Sequence, residues 1–128
     1  MKVEVATAIE DLKRQFGDAK MTVRDDGQGG AYVVLDGVRM SEKFRPFETW
    51  LGFHIPAQYP YADIYPVFIG ANIARANGAP FQAPVTAGHH FEGRPALQIS
   101  RRSPAAQNGS QKAVAKILKV LDFLERLQ

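Results

Sequence analysis

The chain has no cysteine among its 128 residues. Disulfide bonds, thiolate-ligated zinc and a cysteine nucleophile are therefore excluded for the sequence as it stands. Histidine is also scarce, and three irregularly spaced histidines do not form the pattern of a metal site. We accordingly expect neither a metal ion nor another cofactor.

Long apolar runs are missing as well. No stretch approaches the ~20 apolar residues that a helix needs to span a bilayer. The opening residues Met1-Lys2-Val3-Glu4 carry an early acid and no apolar signal segment, so we expect a cytoplasmic protein without a membrane partner. The formal net charge of +3 is small. Because the basic residues are scattered without interleaved aromatics, no nucleic-acid partner is predicted.

The remaining composition is typical of a folded domain. Hydrophobic residues make up 45% of the chain and charged residues 23%, a balance that indicates a packed core rather than disorder. The length predicts a single domain over residues 1–128, because domains usually hold ~100–200 residues.

Apolar residues at helical spacing predict a helix at each end of the chain. The first stripe consists of Val5, Ile9, Leu12 and Phe16. The second consists of Val114, Ile117, Leu118, Leu121, Leu124 and Leu127. Asn108 or Ser110 is predicted to cap the second helix, since side-chain oxygens of these types accept hydrogen bonds from the first helical N–H groups.

Extended segments rich in β-branched and aromatic residues are predicted between the helices. They cover residues 21–24, 31–35, 38–40, 48–55 and 67–70. Asp36-Gly37 has the composition of a hairpin turn, and His54, inside a predicted strand, is assigned a structural role. Residues 71–103 lack a regular period, and a long irregular stretch of this kind is usually functional or contains elements that the sequence pattern does not reveal. The order helix, antiparallel meander, irregular segment, helix predicts an α+β fold.

Three local strings add to this order. Residues 53–68 contain Tyr59-Pro60-Tyr61, Pro66 and Val67-Phe68. Residues 93–100 read Gly-Arg-Pro-Ala-Leu-Gln-Ile-Ser, and the third string is the C-terminal helix. Together they resemble the ubiquitin-conjugating (E2, or UBC-like) family, which carries a Tyr-Pro-aromatic turn, an active-site line Gly-x-apolar-Cys-Leu-x-Ile-Leu and a helix after it.

The match to the active-site line is partial. Gly93, Leu97 and Ile99 agree with the family pattern, whereas the position of the cysteine falls on Ala96. The family's His-Pro-Asn element is absent, and residues 87–90, Ala-Gly-His-His, stand in its place. The resemblance implies a UBC-like fold: an N-terminal helix, an antiparallel four-stranded meander, an irregular active-site segment and a C-terminal helix packed on the sheet. Ala96 is then expected in a shallow groove beside His89 or His90.

The resemblance also implies an activity. Such proteins accept a ubiquitin-like protein from an E1-like activating enzyme as a thioester and transfer it to an amine of a protein target. Alanine offers no lone pair for that step, so the chain as written is inert at Ala96. Either Ala96 replaces a native cysteine, or the protein is a naturally non-catalytic UBC-like or RWD-like adaptor. If the resemblance holds, the alanine- and arginine-rich composition would suit a bacterial member, and the resemblance then implies a ubiquitin-like conjugation operon with a role in antiviral defence.

The remaining candidate residues also follow from the resemblance. His89 and His90 could serve as oxyanion donor or general base, with solvated loop histidines as the alternative. The partner-binding candidates are Lys13 and Arg14 on the first helix, Tyr59 and Tyr61 in the Tyr-Pro loop, and Arg101 and Arg102 after the active-site line. The alternatives are a solvated helix face and basic loop for the cations and a core role for the tyrosines.

Overall fold

Two helices pack on one face of a sheet in the computed structural model, which describes residues 1–109 and 111–128. Helix α1 spans Val3–Gln15 and helix α2 spans Ala113–Glu125, and a short 3-10 helix at Pro104–Asn108 precedes α2. The strands are β1 Lys20–Asp25, β2 Ala31–Arg39, β3 Phe44–Arg45, β4 Glu48–Ile55, β5 Val67–Gly70, β6 Ala74–Arg75, β7 Val85–Phe91 and β8 Arg94–Ile99. The α+β class, with a helix at each end, is confirmed.

The main sheet is antiparallel and has the strand order β1-β2-β4-β5-β8-β7. From β1 to β5 the chain runs through neighbouring strands, which is the predicted four-stranded meander. Strands β3 and β6 pair with each other in a separate two-stranded ladder. The sheet is therefore wider than expected, because β8 adds to β5 and β7 forms one edge.

The prediction of an irregular segment over residues 71–103 is wrong for residues 85–99, which form the β7–β8 hairpin. The connecting turn is Glu92-Gly93, with φ values of 49° and 77°, as a two-residue hairpin turn requires. Gly88, at φ 86°, lies where the register shifts between Thr86 and His89. This bulge breaks the alternation by which a strand is recognised in the sequence.

Two local predictions are also corrected. Asp36-Gly37 does not end a strand, because β2 continues to Arg39 and shifts register against β4 around Gly37, at φ 88°. Helix α2 follows Lys112 as its N-cap residue and has no side-chain cap hydrogen bond, so Asn108 does not cap it. Ser110, the other predicted cap, lies outside the described residues.

The inner face of the sheet carries α1 and α2 and holds the main core. Side chains alternate across a strand, so every second residue of the central strands faces the helices. The fully buried strand residues include Val33, Leu35, Leu51, Phe53 and Ile69. The helices add Val5 and Leu12 from α1 and Ile117 and Leu124 from α2. Within the described part of the chain, no helix is long and apolar enough to cross a membrane.

The outer face, opposite the helices, is covered by the turn of the β7–β8 hairpin, residues 91–94, which we call the hairpin tip. The Phe91 ring lies over Gly52 on β4, where an added Cβ atom would come within 2.6 Å of the ring. The same ring stacks on Phe68 and Trp50, at centroid distances of 4.9 and 6.4 Å. Glycine at position 52 thus allows the hairpin tip to lie flat on the sheet.

Candidate functional site

Ala96, where the resemblance places the nucleophile, lies in extended backbone on β8. Its register partners are Gly70 on β5 and His89 on β7, so the expected neighbour His89 is present. The methyl group packs in a small cluster with Val34 and Phe91, and only 1% of the residue is exposed. The expectation of a shallow groove at this position is wrong, because the hairpin tip shares the outer face with it.

The two histidines of β7 differ in their surroundings. His89 is half-buried, and its Nε2 atom lies 2.9 Å from the Thr86 hydroxyl oxygen. His90 is exposed and stands opposite Pro95 in the ladder. Neither imidazole pairs with a carboxylate among the described residues. The arrangement places His89 beside position 96 but gives it no acid that would orient it as a general base.

Two ion pairs hold the hairpin tip to the far strands of the sheet. Glu92 accepts hydrogen bonds from Arg24 on β1, with a shortest distance of 2.8 Å. Arg94 donates to both carboxylate oxygens of Asp36 on β2, at 2.6 and 3.0 Å. A pair with two parallel N–H···O bonds fixes direction as well as distance. The tip is thereby tied across the sheet to strands on its opposite side.

A cavity of about 220 Å³ opens beside these ion pairs. It is lined by Thr22, Arg24, Tyr32, Val34, Glu92 and Arg94. The Arg24 guanidinium lies 4.3 Å from the centre of the Tyr32 ring. Because Arg24, Glu92 and Arg94 are already paired, the cavity offers a ligand no uncompensated charge.

His54 takes part in a separate pair at the other end of β4. Its Nε2 atom lies 2.7 Å from Asp26, whose carboxylate also accepts the N–H groups of Gln28 and Gly30. The His54 hydrogen bond, followed by those backbone N–H groups, lowers the pKa of Asp26. The pair fastens the β1–β2 turn to the end of β4, which supports the structural role predicted for His54.

The candidate residues of α1 and the Tyr-Pro loop divide into exposed and buried groups. Lys13 and Arg14 are exposed and form ion pairs with Glu10 and Asp11 on the same helix. Tyr61 has 68% of its surface exposed. Tyr59, in contrast, is buried, and its hydroxyl accepts the N–H of Ala113 at the start of α2. Tyr59 thus belongs to the core, whereas Tyr61 is available to a partner.

Arg101 and Arg102 lie at the mouth of a basic pocket. The Arg101 guanidinium is 4.3 Å from the Phe123 ring centre, and that of Arg102 is 4.0 Å from the Tyr65 ring centre. The histidines and the two arginines are not brought together in one contact cluster by any described hydrogen bond or ring contact. They therefore form two separate candidate regions.

Lys116 of α2 is a buried cation that the sequence analysis missed. It is 2% exposed, and its ammonium donates to the Arg101 carbonyl, the Ser103 hydroxyl and Asp63 at 2.6, 3.0 and 3.1 Å. Burial lowers the pKa of Lys116, and Asp63 opposes that shift. Lys116 lies one helical turn after Ala113, which is buried, and this spacing could have indicated that it faces the core.

The geometry thus offers a covered Ala96, an exposed α1 face with Tyr61, and a basic pocket around Arg101. In the described part of the chain, no group of three or more metal-ligating side chains could hold a metal ion. No family model, curated protein or solved structure matches this chain.

Proposed function

We propose that this chain is a non-catalytic, UBC-like binding domain that recognises a ubiquitin-like protein or its E1-like activating enzyme. The observation that carries the proposal is the burial of position 96: an alanine with 1% of its surface exposed occupies the place of the nucleophile. The Tyr-Pro loop and the order helix, meander, helix support the UBC-like part of the proposal.

Transthiolation makes demands that this position does not meet. The attacking sulfur must be a thiolate, and it must reach a thioester carried by another protein. Neither solvent nor a thioester-carrying protein can reach a side chain packed against Val34 and Phe91. An apolar environment of this kind also raises the pKa of a thiol. A binding role needs no group at Ala96 other than one that fills the space beside the hairpin tip.

We assign two contact regions to this function, the exposed face of α1 and the exposed ring of Tyr61. Lys13 and Arg14 place two cations in the last turn of α1, and their pairing with Glu10 and Asp11 leaves both side chains exposed. Exposed ion pairs of this kind contribute little stability, so acidic side chains of a partner can replace Glu10 and Asp11 and use both cations as rim contacts. Tyr61 supplies the apolar contact, since an exposed aromatic ring is a frequent interface anchor.

A second candidate is an E2-type conjugating enzyme whose cysteine has been replaced by Ala96. The specific observations in its favour are the matching Gly93, Leu97 and Ile99 and the ladder pairing of Ala96 with His89. In this case the hairpin tip would have to leave the outer face before a thiol at position 96 could react. The parent enzyme would then carry the ubiquitin-like protein to an amine.

The experiment that separates the two candidates is Ala96→Cys incubated with activating enzyme, ubiquitin-like protein and ATP from the same source. Ala8→Cys, at another buried alanine, is the matched control. We expect no thiol-sensitive adduct on a non-reducing gel with either variant. An adduct formed by Ala96→Cys alone would establish the conjugating enzyme instead.

The binding role is tested with the unmodified chain. We expect calorimetry to detect binding to the ubiquitin-like protein or to the activating enzyme, weakened by Lys13→Glu, Arg14→Glu and Tyr61→Ala. Arg75→Glu, on β6, serves as the charge control. Absence of binding to both partners, or equal losses in the control, would refute the proposal.

A further inference from the structure

A pocket of about 170 Å³ lies between the segment after β8 and helix α2. Arg101, Arg102, Ser103 and Pro104 form one wall, and Lys116 and Lys119 form the other. Four of these side chains are cationic, and no carboxylate lines the cavity. The pocket is separate from Ala96 and from the α1 face, so its role does not depend on the proposed function.

The positive charges around this pocket are largely uncompensated. Asp63 neutralises only Lys116, at 3.1 Å. Among the described residues, Arg101, Arg102 and Lys119 form no ion pair. Asp122, the next acid along α2 from Lys119, pairs instead with Arg126. Three cations therefore share a small cavity with no anion, an arrangement that repels itself in the empty state.

Two of these cations also oppose the charge on Lys116 at the base of the pocket, although Asp63 favours it. Besides desolvation, the charges of Arg101 and Lys119 contribute to the lowered pKa of Lys116. Arg101, Lys116 and Lys119 line the same pocket, so their charges act on one another. An anion bound among them would relieve the repulsion and raise that pKa.

The cations are also held in place before any ligand arrives. The Arg101 guanidinium stacks on Phe123 and that of Arg102 stacks on Tyr65. Stacking fixes the plane of a guanidinium and leaves its N–H edge free for a bidentate contact with an oxyanion. Lys116 anchors the wall itself, since its ammonium bonds the Arg101 carbonyl and the Ser103 hydroxyl. Pre-organisation of this kind lowers the entropic cost of binding.

We propose that this pocket binds a phosphate group, either inorganic phosphate or a small phosphate monoester. Two stacked guanidinium groups and one free ammonium provide more positive charge than a single carboxylate would neutralise, and a dianionic oxyanion matches it. The limited volume accommodates one head group rather than a polymer. The scatter of the other basic residues gives no track along which a nucleic acid could continue.

The test is a titration of the ¹⁵N-labelled full chain with inorganic phosphate at constant ionic strength, followed by NMR. We expect saturable shifts of backbone amides in residues 101–103 and 116–120. Arg101→Gln and Lys119→Gln should each weaken binding about tenfold, because a charge-assisted hydrogen bond typically contributes that factor. The Lys119→Arg variant, which keeps the positive charge, should bind phosphate as the wild type does. Arg39→Gln, which removes an exposed arginine near the Phe47 ring, is the matched control.

Parallel titrations with O-phosphoserine and acetate identify the ligand. Tighter binding of O-phosphoserine than of phosphate would assign a monoester, and the reverse would assign the free ion. Acetate should bind at least about tenfold more weakly than phosphate. Equal binding of acetate, shifts that do not saturate, or equal affinity in the Arg101→Gln and Arg39→Gln variants would overturn the phosphate site. Unchanged amide dispersion outside the pocket confirms that each variant is folded.

Discussion

The two faces of the sheet are closed in different ways. The inner face is covered by α1 and α2, and its core is a continuous set of aliphatic and aromatic side chains. The outer face is covered by the hairpin tip, through the Phe91 ring and the ion pairs of Glu92 and Arg94. The inner cover is part of the cooperative core, whereas the outer cover is a local attachment. Ala96 lies under the second kind of cover, so its burial depends on a few identifiable contacts.

The largest effect is expected on the inner face. Phe53→Ala removes a ring that has 0% of its surface exposed, and such truncations cost about 3–5 kcal/mol because a cavity remains. Urea unfolding followed by circular dichroism measures the loss. A loss near 1 kcal/mol would show that the inner core can collapse around the cavity, and the contrast between the faces would fail.

On the outer face, Phe91→Ala should cost less, about 2–3 kcal/mol, because the ring packs in a small cluster whose other aromatic rings are only partly buried. The fluorescence of Trp50, which stacks on Phe91, should shift to longer wavelength as water reaches it. The contrast between the two faces becomes sharper if Phe91→Ala also increases the reactivity of the thiol introduced by Ala96→Cys, because the outer cover alone would then control access to position 96. A loss equal to that of Phe53→Ala would make the tip part of the main core.

A smaller effect is expected from the ion pair between Arg94 and Asp36. Both side chains are more than a third exposed, so solvent screens their attraction, and we expect a coupling energy of at most about 1 kcal/mol. A double-mutant cycle with Arg94→Gln and Asp36→Asn measures it. The coupling should shrink at high salt. A salt-independent coupling of several kcal/mol would mean that the tip is held mainly by charge.

The smallest effect is expected in the pH dependence of the free energy of unfolding, to which Asp26 contributes. Its pKa is lowered from 3.8 by the His54 hydrogen bond and by backbone N–H groups. A lowered native pKa stabilises the fold above the unfolded pKa, and that stability is lost as the pH falls toward the native value. Unfolding at about pH 5 and about pH 3 should therefore show a larger loss for the wild type than for Asp26→Asn.

Asp18→Asn, at an exposed aspartate outside this network, is the control for that measurement. It should lose stability between the two pH values as the wild type does. Parallel losses in the wild type and Asp26→Asn would show that the Asp26–His54 pair contributes nothing to the acid response.

The sequence predicted the parts of the fold whose signals are local. Helix α1 and helix α2 follow from apolar stripes, β2 follows from its β-branched and aromatic residues, and β4 follows from alternation as well. The β7–β8 hairpin was not predicted, because the bulge at Gly88 interrupts the alternation of its first strand. The burial of Ala96 could not be read from the chain either, since it depends on Phe91 meeting Gly52, a contact between distant segments. Lys116 was missed for a similar reason: a lysine is tolerated at this buried position only because it bonds Asp63 and Ser103.

The β7–β8 hairpin contributes to both the sheet and the outer cover within one short piece of chain. The end of β8 near Ile99 pairs with Val67 in the middle of the sheet, whereas the residues at the turn pair only with each other and are held to β1 and β2 by side chains. Amide hydrogens should therefore exchange with solvent at graded rates along the hairpin. Those near Ile99 open only with the whole molecule, and those near Glu92 open in local fluctuations. A single hairpin would then report both the global unfolding equilibrium and the local opening that exposes position 96.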